Sequence, residues 1–506
     1  PKLALSLLTD KLKEAGVLNR TELRTVEPRD FVPLGKNFFA EFIRNTHSFA
    51  DSFTVALHTP AGVIIQTGDF KVDHTPVDGE TFDFQRLAEH GEKGVLCLIS
   101  DSTNAEVPGF TPSESAVRPG IDKAFAGADG RILVTTFASS VHRINIILQT
   151  AEKYGRAVSL VGRSMLNVVA HARRLGYIKC KDDTLQPMHV INQLPDSEVV
   201  ILSTGSQGEP LSAMTRISRN AHPQVKIKPG DTVVFSANPI PGNTIPVVRT
   251  IDRLVAMGAK VVYGKQAGLH VSGHGSQEDQ KLMLALTKPK FFVPTHGEYR
   301  MLVQHAKTGM SMGIPEDNIV IIDNGDVVEV TPESIEVAGK VPSGLMLIDR
   351  NAADPVANKV MQERQNIATD GLVAVAFTVD GAGKLVHEPD VNLVAISGGN
   401  AKTMPKLVRQ TIQDVLNSEW TQFARSMEKG TLDVDWVGLK DAVERGLRSL
   451  LRDVVKGRPL LVVMMQNPES GDASSLKSAG SESASEDGKK ATRSRKRRRS
   501  TAAVAS

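Results

Sequence analysis

The pattern of apolar and polar positions divides the chain into successive styles. From Pro1 to Leu18, apolar residues recur at helical spacing (Leu3, Leu7, Leu8, Leu12), predicting an amphipathic helix that ends near Gly16. Thr21 to Val26, Phe38 to Ile43, Phe53 to His58 and Val63 to Gln66 read as strands. The turn Pro60-Ala-Gly62 makes the last two a hairpin. From Val95 onward, short apolar runs alternate with helical stretches. Val95 to Ile99, Ile132 to Thr135, Ala157 to Val161, Val199 to Leu202 and Thr232 to Ser236 each lead into a small-residue loop. Five such units predict an α/β fold with a mostly parallel sheet and helices on both faces.

Further on, Gln277 to Thr287 reads as an amphipathic helix and Phe291 to Val293 as a buried strand. Ile319 to Ile322 and Val327 to Val330 flank an Asn-Gly turn and read as a hairpin. That hairpin returns to the style of the first seventy residues, so the first domain is expected to resume there with the α/β unit inserted into it. Strands at Gly344 to Asp349, Gly371 to Asp380 and Pro459 to Met465, with helices at Ala401 to Leu416 and Val434 to Lys456, predict a small closing α/β domain. Beyond Pro468 apolar periodicity disappears, and the composition is that of a segment unable to bury enough surface to order itself.

Composition changes this picture little. At 506 residues, with 41% hydrophobic and 23% charged residues, the chain has the make-up of a soluble multidomain protein. It contains no apolar run long enough to cross a bilayer and no signal-peptide pattern. Its two cysteines, Cys97 and Cys180, suit a reducing cytoplasm rather than a disulfide framework. The net charge of +3 conceals an asymmetry: eight cations lie between Lys489 and Arg499, leaving 52 basic against 57 acidic residues elsewhere. Such a tail suits either nonspecific phosphate contacts or solubility.

The candidate chemistry sits at strand ends. His47 follows the second predicted strand, Asp69 the hairpin, and His296 the buried strand at Phe291 to Val293. Imidazole and carboxylate together hold a divalent transition metal, one ion or two if the carboxylate bridges. The loops of the parallel sheet bring Asp101, Ser139, Arg143, Arg163, Ser206 and Gln207 to one edge. Hydroxyls, arginines and helix N-termini bind phosphate; plain helix capping by Ser and Thr is the alternative at each loop.

Several segments are more specific. Thr-His47-Ser-x-x-Asp-Ser, Thr-Gly-Asp69-Phe-Lys, Ser-Asp101-Ser-Thr-Asn and Thr-Phe-Ala-Ser-x-Val-His-Arg occur in that order. Gly-Arg-Ser-Met, Ser-Thr-Gly-Ser-Gln-Gly-Glu-Pro, His-Val-Ser-Gly-His274-Gly-Ser and Pro-Thr-His296-Gly-Glu-Tyr-Arg follow. In this the chain resembles the ribonuclease J family of the metallo-β-lactamase superfamily, over nearly everything from residue 1 to about 467. The resemblance implies an αββα metallo-β-lactamase sandwich, N-terminally incomplete, with an inserted parallel α/β β-CASP domain and a small C-terminal α/β domain. Residues 1–95 and 276–360 would be the two parts of the first domain and 96–275 the β-CASP domain. A linker at 361–372, an oligomerisation domain at 373–467 and a basic tail at 468–506 would complete the chain.

The same resemblance implies a zinc-dependent ribonuclease that cuts RNA internally and from a 5′-monophosphate end, in RNA maturation and decay. His47 would bind one zinc, His296 the other, and Asp69 would bridge them. Asp101 would be the acidic residue at the domain junction, and His274 would contact the scissile phosphate. Ser139, Arg143, Arg163, Ser164, Ser206, Gln207, His270, Ser272 and His274 would face RNA. The C-terminal domain would support a homo-oligomer, a dimer or tetramer, in the cytoplasm. One departure is large: the family's His-x-His-x-Asp-His motif is missing, and none of the thirteen histidines is paired as His-x-His. An incomplete copy of a longer protein is therefore expected, or else a non-catalytic RNA-binding or scaffold subunit of the same fold. A small-molecule metallohydrolase is disfavoured by an inserted domain whose loops suit a polymer's phosphates.

Overall fold

The computed structural model describes residues 1–240, 242–344, 346–348, 356–396, 402–426, 432–455 and 458–467, which fall into two compact units divided after Gly344. The basic tail lies outside the described residues.

In the first unit, the Lys2–Glu14 helix precedes four antiparallel strands, β1 (Phe31–Pro33), β2 (Phe39–Arg44), β3 (Phe53–Thr59) and β4 (Gly62–Gln66). The hairpin between β3 and β4 closes where Thr59 pairs with Gly62, as the Pro-Ala-Gly sequence predicts. Strand β5 (Val95–Asp101) then adds parallel to β4. The next five strands, β6 (Ile132–Thr135), β7 (Ala157–Val161), β8 (Val199–Ser203), β9 (Thr232–Phe235) and β10 (Lys260–Val262), build a separate, wholly parallel sheet in the order β10-β9-β6-β8-β7. β6, β8 and β9 are buried along their whole length, the pattern expected where helices cover both faces. Strand β11 (Pro289–Thr295) returns to the first sheet and pairs parallel with β5, completing the order β1-β2-β3-β4-β5-β11.

One face of that six-stranded sheet packs Ile43, Ala56, Ile65, Leu98 and Phe292 against Leu87, Met283 and Leu284 of the Phe84–Lys93 and Gln277–Thr287 helices. These two helices meet at Gly91, where an added Cβ would lie 2.0 Å from the Leu286 carbonyl oxygen, so only glycine allows the contact.

Three expectations need correction here. Val95 to Ile99, expected to open the parallel sheet of the inserted domain, is β5 of the six-stranded sheet, held there between β4 and β11, and the fifth parallel strand is β10 instead. Thr21 to Val26 is not a strand: it runs without a ladder partner, and only Val26 is buried. The Asn324-Gly325 turn does not join two strands of a hairpin. Ile319 instead bridges Phe292 of β11, and Val320 donates its amide to the Phe292 carbonyl, which commits that segment to the large sheet. The hairpin forms one step later, between β12 (Asp326–Val330) and β13 (Ile335–Lys340).

The second unit contains β14 (Leu372–Thr378) and β15 (Asp390–Val394). After the Met404–Phe423 helix come the short strands β16 (Ala424–Ser426) and β17 (Leu432–Val434), then the Trp436–Val454 helix and β18 (Leu460–Gln466). β14 lies between β15 and β18 and alternates buried with half-buried residues, with Val373, Val375 and Phe377 set against Val408, Ile412, Leu439 and Leu447 of the two helices. One helix-covered face and one open face produce this alternation. The expected strand at Gly344 to Asp349 falls partly outside the described residues.

Candidate active site

Segments that follow four strands of the six-stranded sheet, and one incoming loop, build the site. β4 ends at Gln66 and the chain turns through Thr67-Gly68 to present Asp69. β5 ends on Asp101, whose amide donates to the Thr67 hydroxyl at 3.1 Å. On β11, Thr295 pairs in register with Asp101, so the next residue, His296, emerges beside it. His296 has φ +54°, a left-handed conformation rare outside glycine, and strain of this kind is tolerated where the surroundings demand it.

His47 follows β2 in a loop tied down from both sides. The Asn45 side-chain amide donates to the Thr67 carbonyl at 2.9 Å, and the Thr46 hydroxyl to the Lys71 carbonyl at 2.5 Å. The fifth element is Ser272-Gly273-His274. The Asn104 side-chain amide donates to Ser272 Oγ at 2.9 Å and to the His274 carbonyl at 2.8 Å, and the Thr111 hydroxyl also reaches that carbonyl at 2.8 Å. Gly273 is obligatory: an added Cβ would stand 2.5 Å from His47 Cε1. That closeness lets His47 Nδ1 donate to the Gly273 carbonyl at 2.6 Å, which leaves Nε2 as the ring's metal-facing atom.

The result is a row of three imidazoles. The His274 ring lies edge-on between His47 (centroids 5.1 Å apart) and His296 (5.2 Å). His296 Nε2 is 3.5 Å from Asp69 Oδ1, and both side chains are close to half exposed. Candidate ligand atoms of His47, Asp69 and His274 all lie within 4.8 Å of one another. The imidazole and carboxylate donors thus suit a divalent ion of borderline softness. His274 differs from its neighbours, because its Nδ1 is 2.7 Å from Asp101 Oδ2. Asp101 Oδ1 meanwhile accepts from the Thr103 amide and hydroxyl.

Electrostatics follow the geometry. Burial works to lower the His274 pKa, but the hydrogen bond to Asp101, its charge and that of Asp69 outweigh it, and the pKa is raised. Burial likewise works to raise Asp101, yet His274 and Thr103 hold it below the ordinary carboxylate range. His47 is pushed down, by burial first and then by His274.

The residues expected to face RNA separate into two groups. Ser139 is exposed, and Arg163 and Ser164 stand exposed at the start of the Arg163–Arg174 helix. Arg143 is only 1% exposed and fully engaged. Its guanidinium donates to Glu114, to the Ser236 and Val271 carbonyls and to His270 Nδ1. The expectation that Arg143 and His270 present themselves to RNA is therefore corrected: they are struts under the Ser272–His274 loop. With Arg143 donating to it, and with burial acting first, His270 is driven down to about 3 and stays neutral. Gln207 is buried too, its amide spanning from the Asn238 carbonyl to the Ile240 amide, and Ser206 is buried beside it. Ser272 is occupied by Asn104 and the His274 amide.

Sequence reasoning passed over Asn104, Thr111, Lys71 and Glu114. Asn104 belongs to the motif Ser-Asp101-Ser-Thr-Asn, three residues after Asp101 in the loop that leaves β5. Lys71 and Glu114 are 1% and 2% exposed, and buried charges of this kind leave no periodic trace.

Comparisons with known proteins give the family. Residues 129–254 match the family described as ribonuclease J, beta-CASP domain, residues 258–320 the Zn-dependent metallo-hydrolase RNA specificity domain, and residues 359–467 the ribonuclease J C-terminal domain. The chain is 56% identical to Ribonuclease J of Synechocystis over 467 residues, covering 92% of this chain and 72% of that protein. It is 38% identical to Ribonuclease J 1 of Streptococcus pyogenes, covering 92% and 82%, and 37% identical to Ribonuclease J2 of Bacillus subtilis, covering 91% and 81%. With strand-end imidazoles and carboxylates assembled beside an inserted parallel sheet, the chain belongs to the ribonuclease J family of metal-dependent ribonucleases.

Proposed function

We propose that the enzyme of which this chain is a part hydrolyses RNA phosphodiesters, internally and from 5′-monophosphorylated ends, with His274 and Asp101 acting on the scissile phosphate and His47, Asp69 and His296 among the ligands that hold zinc. The observation that carries the reading is the position of His274. Its ring lies between two candidate ligand rings, while Asp101 occupies its Nδ1 and leaves Nε2 directed into the site. An imidazole with a raised pKa in that position holds a proton for the leaving oxygen. When bound, the metal supplies activation of water and charge stabilisation at the phosphate. Asp101 fixes the His274 tautomer, and the Gly273 carbonyl fixes that of His47.

Arg163, Ser164 and Ser139 would guide the RNA backbone, as exposed groups able to reach phosphate oxygens. The second unit is read as an oligomerisation domain giving a dimer or tetramer, and the two free cysteines favour a cytoplasmic setting. Among the described residues no helix is long and apolar enough to cross a membrane.

The ligand count qualifies the chain as it stands. His47 with Asp69, and His296 with the same Asp69, would give each of two ions two contacts, whereas a catalytic zinc takes three protein ligands and a water. The 506-residue sequence is accordingly read as most of a longer enzyme whose His-x-His-x-Asp-His segment supplies the rest. Metal analysis after dialysis, beside release of nucleotides from 5′-monophosphorylated RNA, tests this. Weak metal retention and little turnover are expected of this chain, with both recovered once that segment is joined to it. Two tightly held zincs and multiple turnovers without it would overturn the ligand assignment.

A further inference from the structure

A second group of imidazole and carboxylate donors lies away from the strand-end site. Glu41 on β2, His58 on β3 and His90 near the end of the Phe84–Lys93 helix place their ligand atoms within 4.8 Å of one another. Glu41 and His58 project from the same face of the sheet as Ile43 and Ala56, and the Phe84–Lys93 helix covers that face through Leu87. The group therefore sits at the rim of the core between sheet and helix. Glu41 is fully buried, His90 nearly so, and His58 is 28% exposed.

We propose that Glu41, His58 and His90 form a structural binding site for a divalent transition ion such as zinc, separate from the candidate active site. His58 Nε2 and His90 Nε2 each stand 3.0 Å from the same oxygen, Glu41 Oε2. Neighbouring ligands around a tetrahedral zinc are about 3.3 Å apart, from bond lengths of about 2.0–2.1 Å. An ion would sit between the three atoms, with Glu41 Oε2 drawing back from the two rings to make room for it. The other carboxylate oxygen, Oε1, accepts from Arg86 Nε, and Arg86 is in turn paired with Glu89. Hydrogen bonding of this kind orients a ligating carboxylate while leaving its second oxygen for the metal. The exposed side of His58 leaves room for water in the fourth position, and Phe31, 5.1 Å away ring to ring, walls the site on the β1 side. Bound there, an ion would join β2 and β3 to the helix that covers them, and its binding free energy would add to folding.

The test uses Co2+ added to the EDTA-dialysed chain, read as visible absorption and as metal bound per chain. His47→Ala with His296→Ala removes strand-end ligands, so the two sites report separately. This double variant is expected to keep one Co2+ per chain, with a thermal midpoint several degrees higher than without metal. Adding His58→Ala, at a partly exposed position whose truncation spares the core, should abolish both the bound ion and the thermal shift. A double variant that holds no Co2+ overturns the proposal. So does a triple variant that binds as much as the double, and either result leaves Glu41 as the acceptor of a purely hydrogen-bonded network. Circular dichroism of the metal-free triple variant checks its fold. Should it be unfolded, the unsubstituted chain decides: a Co2+ class unaffected by His47→Ala but lost in Glu41→Gln is required.

Discussion

Two neighbouring parts of the first unit use the same side-chain types to opposite ends. At the strand-end site the ligand atoms have only long contacts, His47 Nε2 with the Ser48 hydroxyl at 3.3 Å and His296 Nε2 with Asp69 at 3.5 Å, and the last two side chains are close to half exposed. Beneath it, Lys71, Glu114 and Arg143 are buried and His270 is half-buried, and the guanidinium of Arg143 is consumed by Glu114, His270 and two carbonyls. The first arrangement keeps binding capacity at the cost of strain at His296, and the second spends its capacity internally to fix the loop that carries His274. Residue type therefore does not separate ligand-facing from structural groups. What separates them is whether each donor and acceptor already has a partner, and at what depth.

The largest expected effect bears on the open side. In a protein carrying the full ligand set, His274→Ala should lower cleavage by about 10²–10⁴-fold, as for a lost acid–base group, with metal content unchanged. Loss of metal together with activity would instead make His274 a ligand and move it across the comparison. On the closed side, Arg143→Ala leaves the buried carboxylate of Glu114 facing only Lys71 and should destabilise the first unit by about 3–5 kcal/mol in denaturant unfolding. A change below about 0.5 kcal/mol, as at an ordinary surface position, would show that the network is not structural.

A pH series comes next. His270 and His305 are both driven down to about 3, by burial first, from an ordinary 6.5. Between those values the unfolded chain takes up protons that the folded chain refuses, so stability is complete above about 6.5 and is lost progressively as the pH falls toward 3. The urea midpoint of the first unit should therefore drop between pH 7.5 and 5, before carboxylates titrate. A flat midpoint across that interval would contradict the buried neutral state of both rings.

The smallest effects are in affinity. Arg163→Ala, at an exposed helix start, should weaken RNA binding and its salt dependence without changing stability, the reverse of Arg143→Ala. Deletion beyond Pro468 removes nine cations and should also flatten the salt slope of RNA binding. An unchanged slope would make the tail a solubility device.

Much of this was legible in the sequence because strands and their ends are written locally. The apolar runs before Asp101 and His296 placed each residue at a strand end, but not in one sheet: the pairing of β5 with β11 is a contact between distant segments that neither run records. The Arg143 error has a different origin. An arginine at the start of a helix after a parallel strand looks the same whether it meets phosphate or a buried Glu114, since the partner lies on another element. Gln207 and the Asn324-Gly325 turn failed likewise. Each was decided by a competing contact, with the Asn238 loop in one case and with Phe292 of β11 in the other.

The pairing of β5 with β11 also has a consequence in time. Ser100 and Thr295 touch across 195 positions of sequence, with an entire parallel sheet made between them. At synthesis rates of about 5–20 residues per second, Asp101 leaves the ribosome roughly ten to forty seconds before His296. Through that interval the growing protein holds half a site, with β5 as an open sheet edge, and the intervening sheet is free to fold as a unit of its own. Closure by β11 then brings His296 up to Asp69 and Asp101 in a single late step, so the newborn chain has no assembled site until more than half of its message has been read.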